Sequence, residues 1–242
     1  MKLAVTDQRL PEAALDALLK MGFEVLLLPP CENLPAPLSS HTDMLLFRCG
    51  KRLIAEGGYY ERNKALFDRL RPLGIGITTC KANFSRSYPY DAILNALKVG
   101  DRLFIKSDTV AREILELAKE AGLRICEVRQ GYPACTVLPL SDGAAITADR
   151  GMARALAGAG VKVTLIDDSD RIKLPPYKNG FIGGCAGRYK DTVYFIGDLD
   201  AHPECEAIKE ALSATGLSSV SLMPKSDFLF DLGGILFFDD GL

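Results

Sequence analysis

Short apolar runs and longer amphipathic segments alternate along this chain, and a glycine follows most of the amphipathic segments. Residues 144–147 form one such apolar run, and residues 150–159 carry apolar side chains at three- and four-residue spacing before Gly160. Runs of this length are typical of buried strands, whereas the wider spacing is typical of a helix with one buried face. The segment 161–166, in which four of six residues are apolar, predicts another strand, so the pattern favours an α/β fold.

This pattern recurs along the sequence at a nearly constant period. Each complete copy is predicted to contain an inner strand, a second strand, a helix ending at a glycine, and a third strand, which makes a ββαβ unit of roughly 47 residues. A glycine just after a helix is expected to adopt the left-handed conformation. Four copies are whole, with inner strands expected at 41–49, 90–97, 134–140 and 180–186 and helices at 60–73, 107–121, 150–159 and 202–215.

The fifth copy is divided between the two ends of the chain. Residues 230–237 supply an inner strand with nothing after it, and residues 2–28 supply the second strand, helix and third strand. The sequence therefore predicts one domain, residues 1–242, folded as a five-unit ββαβ pseudo-symmetric β/α propeller that is closed by pairing of its N- and C-terminal strands, 2–6 and 233–238. A generic open α/β sheet would also repeat such units, but it gives no reason for complementary ends.

Composition and charge narrow the classes of function. The net charge is −2 and the Lys and Arg residues are scattered, which argues against a nucleic-acid partner. Charged residues interrupt the first nineteen positions and no later run approaches a membrane span, so we expect no membrane partner and a cytoplasmic location. The seven cysteines are odd in number and lack a framework spacing, which favours free thiols.

Three phrases add a resemblance to a known superfamily. They are Gln-Gly-Tyr-Pro-Ala-Cys at 130–135, Ile-Thr-Ala-Asp at 146–149 and Gly-Phe-Ile-Gly-Gly at 180–184. With the five-unit architecture, they resemble an uncharacterised bacterial branch of the pentein, or guanidine-group-modifying-enzyme, superfamily. Its members include arginine and agmatine deiminases, dimethylarginine hydrolases, amidinotransferases and a non-enzymatic ribosome anti-association factor. The resemblance covers the whole chain and implies a fold more than a function.

Acidic residues near the inner strands are the first candidates for a site. In such a propeller these strands would point their first residues into a central channel. Asp43, Asp91 and Asp231 occupy matching positions in three units, and converging carboxylates suit a cationic guanidinium or amine. We therefore predict Asp43, Asp91 and Asn95 as substrate-binding residues. Each aspartate could instead serve only as a turn or cap residue.

A histidine and a cysteine are the candidates for catalysis. The run His41-Thr42-Asp43 resembles the His-x-Asp motif of the guanidine-modifying enzymes, which implies that His41 is a general acid/base. The resemblance places Cys135 as nucleophile, and Asp231 as the acid that supports His41 or the substrate. A thiolate nucleophile needs a nearby imidazole to manage its proton and that of the leaving amine. An exposed loop histidine and a small packed cysteine are the alternatives.

One unit departs from the enzymes' pattern. Its inner strand, 180–186, has no carboxylate where a further acid is expected, so binding by the full acid set is in doubt. Gly183 and Gly184 would instead allow a close approach of backbone to a ligand, or a tight bend. Cys185 is a second thiol near the channel, either an alternative nucleophile or a packed residue. His202 and Cys205 read as the start of a helix rather than half a metal site, so no metal is expected.

Two functions of different class follow. One is a cysteine-dependent hydrolase or amidinotransferase-like enzyme, without a cofactor, that acts on a guanidine- or amine-bearing small molecule. The other is a non-catalytic pentein-fold binding protein for a small molecule or a protein partner. Only the enzyme needs Cys135 and His41 within reach of one reacting atom. A nucleotide-binding open sheet would need a glycine-rich loop after a strand. The oligomeric state, and which of Cys135 and Cys185 is more reactive, stay open.

Overall fold

Short strands form the framework of this protein. The computed structural model describes residues 1–167 and 169–241, and within these ranges the middle strands are the most deeply buried. In chain order the strands are β1 (Lys2–Asp7), β2 (Glu24–Leu28), β3 (Leu46–Cys49), β4 (Arg52–Glu56), β5 (Gly76–Cys80), β6 (Leu97–Val99), β7 (Arg102–Ile105), β8 (Arg124–Glu127), β9 (Val137–Ser141), β10 (Ala144–Thr147), β11 (Lys162–Leu165), β12 (Ile172–Lys173), β13 (Ala186–Tyr189), β14 (Thr192–Phe195), β15 (Ser218–Ser221), β16 (Leu229–Phe230) and β17 (Leu236–Asp239).

Amphipathic helices cover these strands. In α5, for example, Ile114, Leu117 and Ala118 are buried at the three-and-four spacing of a single helix face. The helices are α1 (Glu12–Lys20), α2 (Thr42–Leu45), α3 (Gly57–Arg62), α4 (Lys64–Asp68), α5 (Arg112–Glu120), α6 (Pro133–Thr136), α7 (Arg150–Gly158) and α8 (Cys205–Ser213), with 3₁₀ turns at Ala36–Leu38, Arg71–Leu73, Gly183–Cys185 and Leu199–Ala201. No helix in the described ranges is long and apolar enough to cross a membrane.

Five three-stranded sheets share one topology. In each, an inner strand runs antiparallel to the middle strand, and the middle strand runs parallel to the outer one. Parallel neighbours need a crossover connection, which helical segments supply in every case. We name the units first (β3, β4, β5), second (β6, β7, β8), third (β9, β10, β11), fourth (β13, β14, β15) and terminal (β17, β1, β2). A separate parallel pair joins β12 to β16.

The two ends of the chain form the terminal unit together. Strand β17 pairs antiparallel with β1, from Lys2 opposite Asp239 to Val5 opposite Leu236. This confirms the strand pairing expected from the split repeat. Phe237 of β17 is fully buried, and its ring lies 5.0 Å from the ring of Phe23.

The glycines that follow the helices confirm another expectation. All of them have φ between 66° and 82°, the left-handed region that a side chain disfavours. They are Gly22, Gly74, Gly122, Gly160 and Gly216.

Several boundaries differ from the expected ones. The helix expected at 60–73 is α3, α4 and a 3₁₀ turn, because Asn63 leaves helical geometry at φ −119° and its amide caps the Tyr59 carbonyl at 2.9 Å. The helix expected at 107–121 begins only at Arg112. All five inner strands begin later than expected, and the short helical turns α2, α6 and Gly183–Cys185 come before three of them. His41, Asp43 and Cys135 therefore lie on or beside helical turns, not on strands.

Removing the C-terminal segment tests the dependence of the fold on this pairing. A chain that ends at Phe228 loses β16 and β17, which leaves β1 with an unpaired edge and exposes the apolar surface around Phe23. We expect this chain to lose its cooperative thermal unfolding transition, measured by circular dichroism. A control chain that ends at Asp240 keeps β17 and should retain the wild-type Tm. An unchanged Tm in the shorter chain would contradict the pairing.

Candidate active site

A cavity of about 250 Å³ brings together three residues singled out in the sequence. They are His41, Cys135 and Asp231, which come from the first, third and terminal units. Helical turns before the inner strands, not the strands themselves, carry His41 and Cys135 to the cavity. The other residues that line it are Leu38, Tyr132, Leu174, Tyr177, Asn179 and Phe181.

The thiol of Cys135 lies in a buried, negatively charged environment. Cys135 is only 5% exposed. Asn95 Nδ2 donates a hydrogen bond to its Sγ at 3.1 Å. Asn95 is fixed in turn because its Oδ1 accepts from the Ala134 amide at 2.9 Å. Burial raises the pKa of Cys135 well above its usual value, and the charges of Asp43 and Asp231 raise it further. Cys135 is therefore a thiol rather than a thiolate.

His41 is buried, not an exposed loop residue. It is 1% exposed, and Nδ1 lies 3.8 Å from Asp231 Oδ1. Neither ring nitrogen has a hydrogen-bond partner among the described residues, so a donor or acceptor must come from water or a ligand. Burial lowers the pKa of His41 to about 3, with a smaller contribution from Arg9. The imidazole is therefore neutral at pH 7.

Asp231 is held by backbone amides at the base of the cavity. Its carboxylate accepts from the Phe181 amide at 2.8 Å and from the Gly233 amide at 3.2 Å. The pKa of Asp231 is raised to about 7, mainly by burial and secondly by the negative charge of Asp43. A Cβ atom on Gly184 would lie 1.8 Å from Asp231 Oδ1. The glycine that replaces an acid in the fourth unit thus makes room for Asp231, so the close backbone approach expected there is to the protein's own carboxylate.

Gly233 lets the Asp231 segment reach the turn that carries His41. Its φ is +72°, and a Cβ atom there would lie 2.6 Å from the Thr42 amide nitrogen and 2.7 Å from His41 Cβ. Its carbonyl accepts a hydrogen bond from the Asp43 amide at 3.1 Å. Only a residue without a side chain fits this contact.

The other predicted aspartates lie around this cavity rather than in it. Asp43 lines a second cavity of about 440 Å³ together with Arg48 and Arg188. Both Asp43 oxygens are buried without a hydrogen bond of normal geometry, and burial raises the pKa of Asp43 to about 6. Asp91 is buried behind Tyr132 and accepts from its hydroxyl at 2.8 Å. Tyr132, not Asp91, lines the cavity.

The expectation of one shared cavity for all four residues, with His41 at its rim, is therefore wrong for Asp43, Asp91 and His41. The reason lies in the register of the repeats. Cys135 stands two residues before β9 and Asp43 three residues before β3. Asp91 stands six residues before β6 and Asp231 five before β17. Positions treated as equivalent thus differ by up to a full helical turn. Asn95, predicted to bind substrate, lies behind Cys135 and contacts its sulfur.

The segment between the third and fourth units supplies cavity residues that the sequence patterns did not identify. Leu174, Tyr177 and Asn179 lie there, outside the repeated elements. The Asn179 Oδ1 atom is buried without a hydrogen-bond partner. The only sequence signal is their place directly before the Gly-Phe-Ile-Gly-Gly phrase.

The remaining candidates lie outside the cavity. Cys185 is buried and donates to the Phe181 carbonyl at 3.0 Å, and burial raises its pKa well above the usual value. His202 accepts through Nδ1 from the Glu204 amide at 3.1 Å, next to the start of α8. In the described part of the chain, no three His, Cys, Asp or Glu side chains are grouped to hold a metal ion.

Solved structures with the same fold are guanidine-modifying enzymes. The chain is similar to a cysteine-to-serine mutant of dimethylarginine dimethylaminohydrolase from Pseudomonas aeruginosa in complex with citrulline (TM-score 0.56, 14% identity, 98% of both chains covered). It is also similar to the substrate-bound N-terminal domain of a cyanobacterial arginine dihydrolase (TM-score 0.55, 14% identity, 97% and 95% covered). A third is an amidinotransferase of saxitoxin biosynthesis from Microseira wollei (TM-score 0.55, 13% identity, 92% and 77% covered).

These likenesses confirm the pentein fold inferred from the sequence. At such low identity they establish the fold alone. None of the curated proteins matches the chain. A family model described as "Family of unknown function (DUF6873)" matches residues 5–236.

Replacing Asp231 by Asn tests the raised pKa of this carboxyl group. The folded chain binds its proton with a pKa of about 7, against 3.8 for an ordinary aspartate. The folded state therefore binds more protons than the unfolded state between about pH 4 and 7, and the stability of the wild type falls as the pH rises through this window.

We expect the difference in unfolding free energy, wild type minus Asp231→Asn, to fall by on the order of a few kcal/mol across this window, measured by urea denaturation. His41 has a lowered pKa and acts in the opposite direction, but it is present in both proteins and largely cancels. The exposed Asp227→Asn is the control and should show no such trend. A difference independent of pH would contradict the raised pKa.

Proposed function

The chain belongs to the DUF6873 family, and we propose that it is a cysteine-dependent enzyme that cleaves or transfers a carbon–nitrogen bond at a guanidine-like group of a small cationic molecule. The observation that carries this proposal is the single cavity lined by Cys135, His41 and Asp231 in a fold shared with guanidine-modifying hydrolases and amidinotransferases.

We propose further that residues 1–242 form one domain closed into a five-unit propeller. Hydrogen bonds that link consecutive units support this arrangement, since each unit contacts the next and the terminal unit contacts the first. They join Arg48 to the Phe237 carbonyl, Asn95 to the Asp43 carbonyl, Arg102 to the Asp142 carbonyl, Arg188 to the Leu140 carbonyl, and the Leu232 amide to the Gly184 carbonyl.

A cation bound in the cavity would favour the thiolate form of Cys135, which is the nucleophile. The pKa of Cys135 is raised by burial and by two carboxylates, and a guanidinium among these groups would counter both carboxylate charges. An opposite charge within a few ångströms favours the thiolate. His41 would then take the thiol proton as general base: its buried ring is neutral and unpartnered, and the Asp231 carboxylate 3.8 Å away would stabilise the imidazolium that forms.

The first step of the proposed reaction involves only the guanidinium, Cys135 and His41. Cys135 Sγ attacks the central guanidinium carbon, a carbon–sulfur bond forms, and the bond from that carbon to one nitrogen breaks. The leaving amine receives the proton that His41 took from the thiol. A positively charged amidino-thioether remains on the enzyme. Water in a hydrolase, or a second amine in a transferase, then forms a new bond to this carbon and gives one proton to His41. The carbon–sulfur bond breaks, and the sulfur takes that proton back as the thiol; in the hydrolase the second proton of the water leaves to solvent. Asp231 would orient His41 and hold the cation.

Alkylation by 2-chloroacetamidine, a small cation that mimics a guanidinium, tests this proposal. We expect Cys135 to be labelled first among the seven cysteines, at least about tenfold faster than by the neutral near-isostere 2-chloroacetamide, because one pKa unit is a tenfold change in thiolate. Peptide mass spectrometry after timed quenching locates the label. His41→Ala should slow labelling of Cys135, since it removes the base.

Cys185→Ser is the matched control, because Cys185 is equally buried but lies outside the cavity, and its replacement should leave labelling of Cys135 unchanged. Slow and uniform labelling of several cysteines, insensitive to His41→Ala, would favour the non-catalytic binding protein.

A further inference from the structure

The walls of the cavity differ sharply from its base. The three chemically active residues at the base are nearly fully buried, whereas Tyr177 and Phe181 are 48% and 37% exposed and so form the mouth. Between them the wall consists of Leu38, Leu174 and the ring of Tyr132. A ligand that places a cation at the base must therefore place its remaining atoms against leucine and aromatic side chains, which favours an apolar substituent.

The charges around the cavity disfavour an anionic substituent. Among the described residues that line it, none is Lys or Arg, and the charged side chain there is that of Asp231. Lys178 stands between two lining residues, but it is exposed and does not line the cavity. Arg9, whose charge lowers the pKa of His41, is paired with Asp7 and does not line the cavity either. A carboxylate on the ligand would lose its hydration against apolar walls without gaining an ion-pair partner, which is costly.

One polar atom of the cavity wall has no hydrogen-bond donor among the described residues. The Oδ1 atom of Asn179 is buried without a partner, and Asn179 lines the cavity. Buried carbonyl oxygens are almost always hydrogen-bonded. A substituted guanidinium offers N–H groups along its edges, so it would satisfy this oxygen while its central carbon faces Cys135.

We propose that the substrate is a guanidine with an apolar, uncharged alkyl or arylalkyl substituent, not a guanidino amino acid such as arginine. The cavity volume of about 250 Å³ lies just under the range of about 300–1,000 Å³ that is typical of ligand pockets, which fits a small molecule of this class. This inference rests on the proposed function, since it assumes that the guanidine group binds beside Cys135.

Calorimetric titration of the Cys135→Ser chain, which cannot form the covalent adduct, compares phenethylguanidine with arginine. We expect phenethylguanidine to bind at least about tenfold more tightly, a difference of about 1.4 kcal/mol. Phe181→Ala should reduce this preference, because it shortens the apolar wall while leaving the backbone bond to Asp231 in place. Lys178→Ala should leave it unchanged.

Tyr177→Arg adds a cation at the mouth and should shift the affinity ratio towards arginine. The wild-type chain gives a second measurement, since each ligand that binds should protect Cys135 from 2-chloroacetamidine with the same order of preference. This protection measurement also tests the proposal if the Cys135→Ser chain does not fold.

The possible failures are distinguishable. Arginine binding as tightly as phenethylguanidine, or more tightly, would overturn the substrate class and leave the proposed enzyme intact. A folded chain that binds neither ligand, and whose Cys135 neither protects, would overturn the proposed function and this inference with it.

Discussion

The antiparallel pairing of β17 with β1 places the segment around Asp231 between two units that are distant in the sequence. On one side the Gly234 carbonyl accepts from the hydroxyls of Thr6 and Thr42, both at 3.2 Å. On the other side the Gly234 amide donates to the Gly184 carbonyl at 2.8 Å. Without this pairing, Asp231 would have no fixed position relative to His41 and Cys135. The same contact therefore joins the chain ends and completes the site.

Burial of acidic groups in and around a cavity whose described lining contains no Lys or Arg sets the chemistry of the site. The pKa values of Asp43 and Asp231 are raised to about 6 and about 7, that of the Cys135 thiol is raised well above normal, and that of His41 is lowered to about 3. The largest cause of every shift is the cost of placing a charge in a poorly solvated region. These groups thus carry less charge than they would in water. Titratable groups with pKa values perturbed in this way are common at functional sites.

The five strand–helix units could be predicted from the sequence, because several independent features of the sequence repeat with the same period. The middle strand at 144–147, the glycines after the helices and the division of the fifth copy each point to the same units, and the structure confirms them. The short turns α2 and α6 were missed because four-residue helices leave no periodic pattern. Asp43 lies on α2 outside the cavity, and Asp91 lies behind Tyr132. His41, Cys135 and Asp231 line the cavity together. Asn179 was missed because it lies in an irregular segment without a repeat.

The contact between Gly184 and Asp231 links two positions that belong to different units. A Cβ atom at 184 would overlap the Asp231 carboxylate, so a side chain at 184 and an acid at 231 are mutually exclusive unless one backbone segment moves. Among related sequences these two positions should consequently covary. An acid at position 184 of this chain would displace the carboxylate of Asp231, and with it the negative charge that the terminal unit supplies to the cavity.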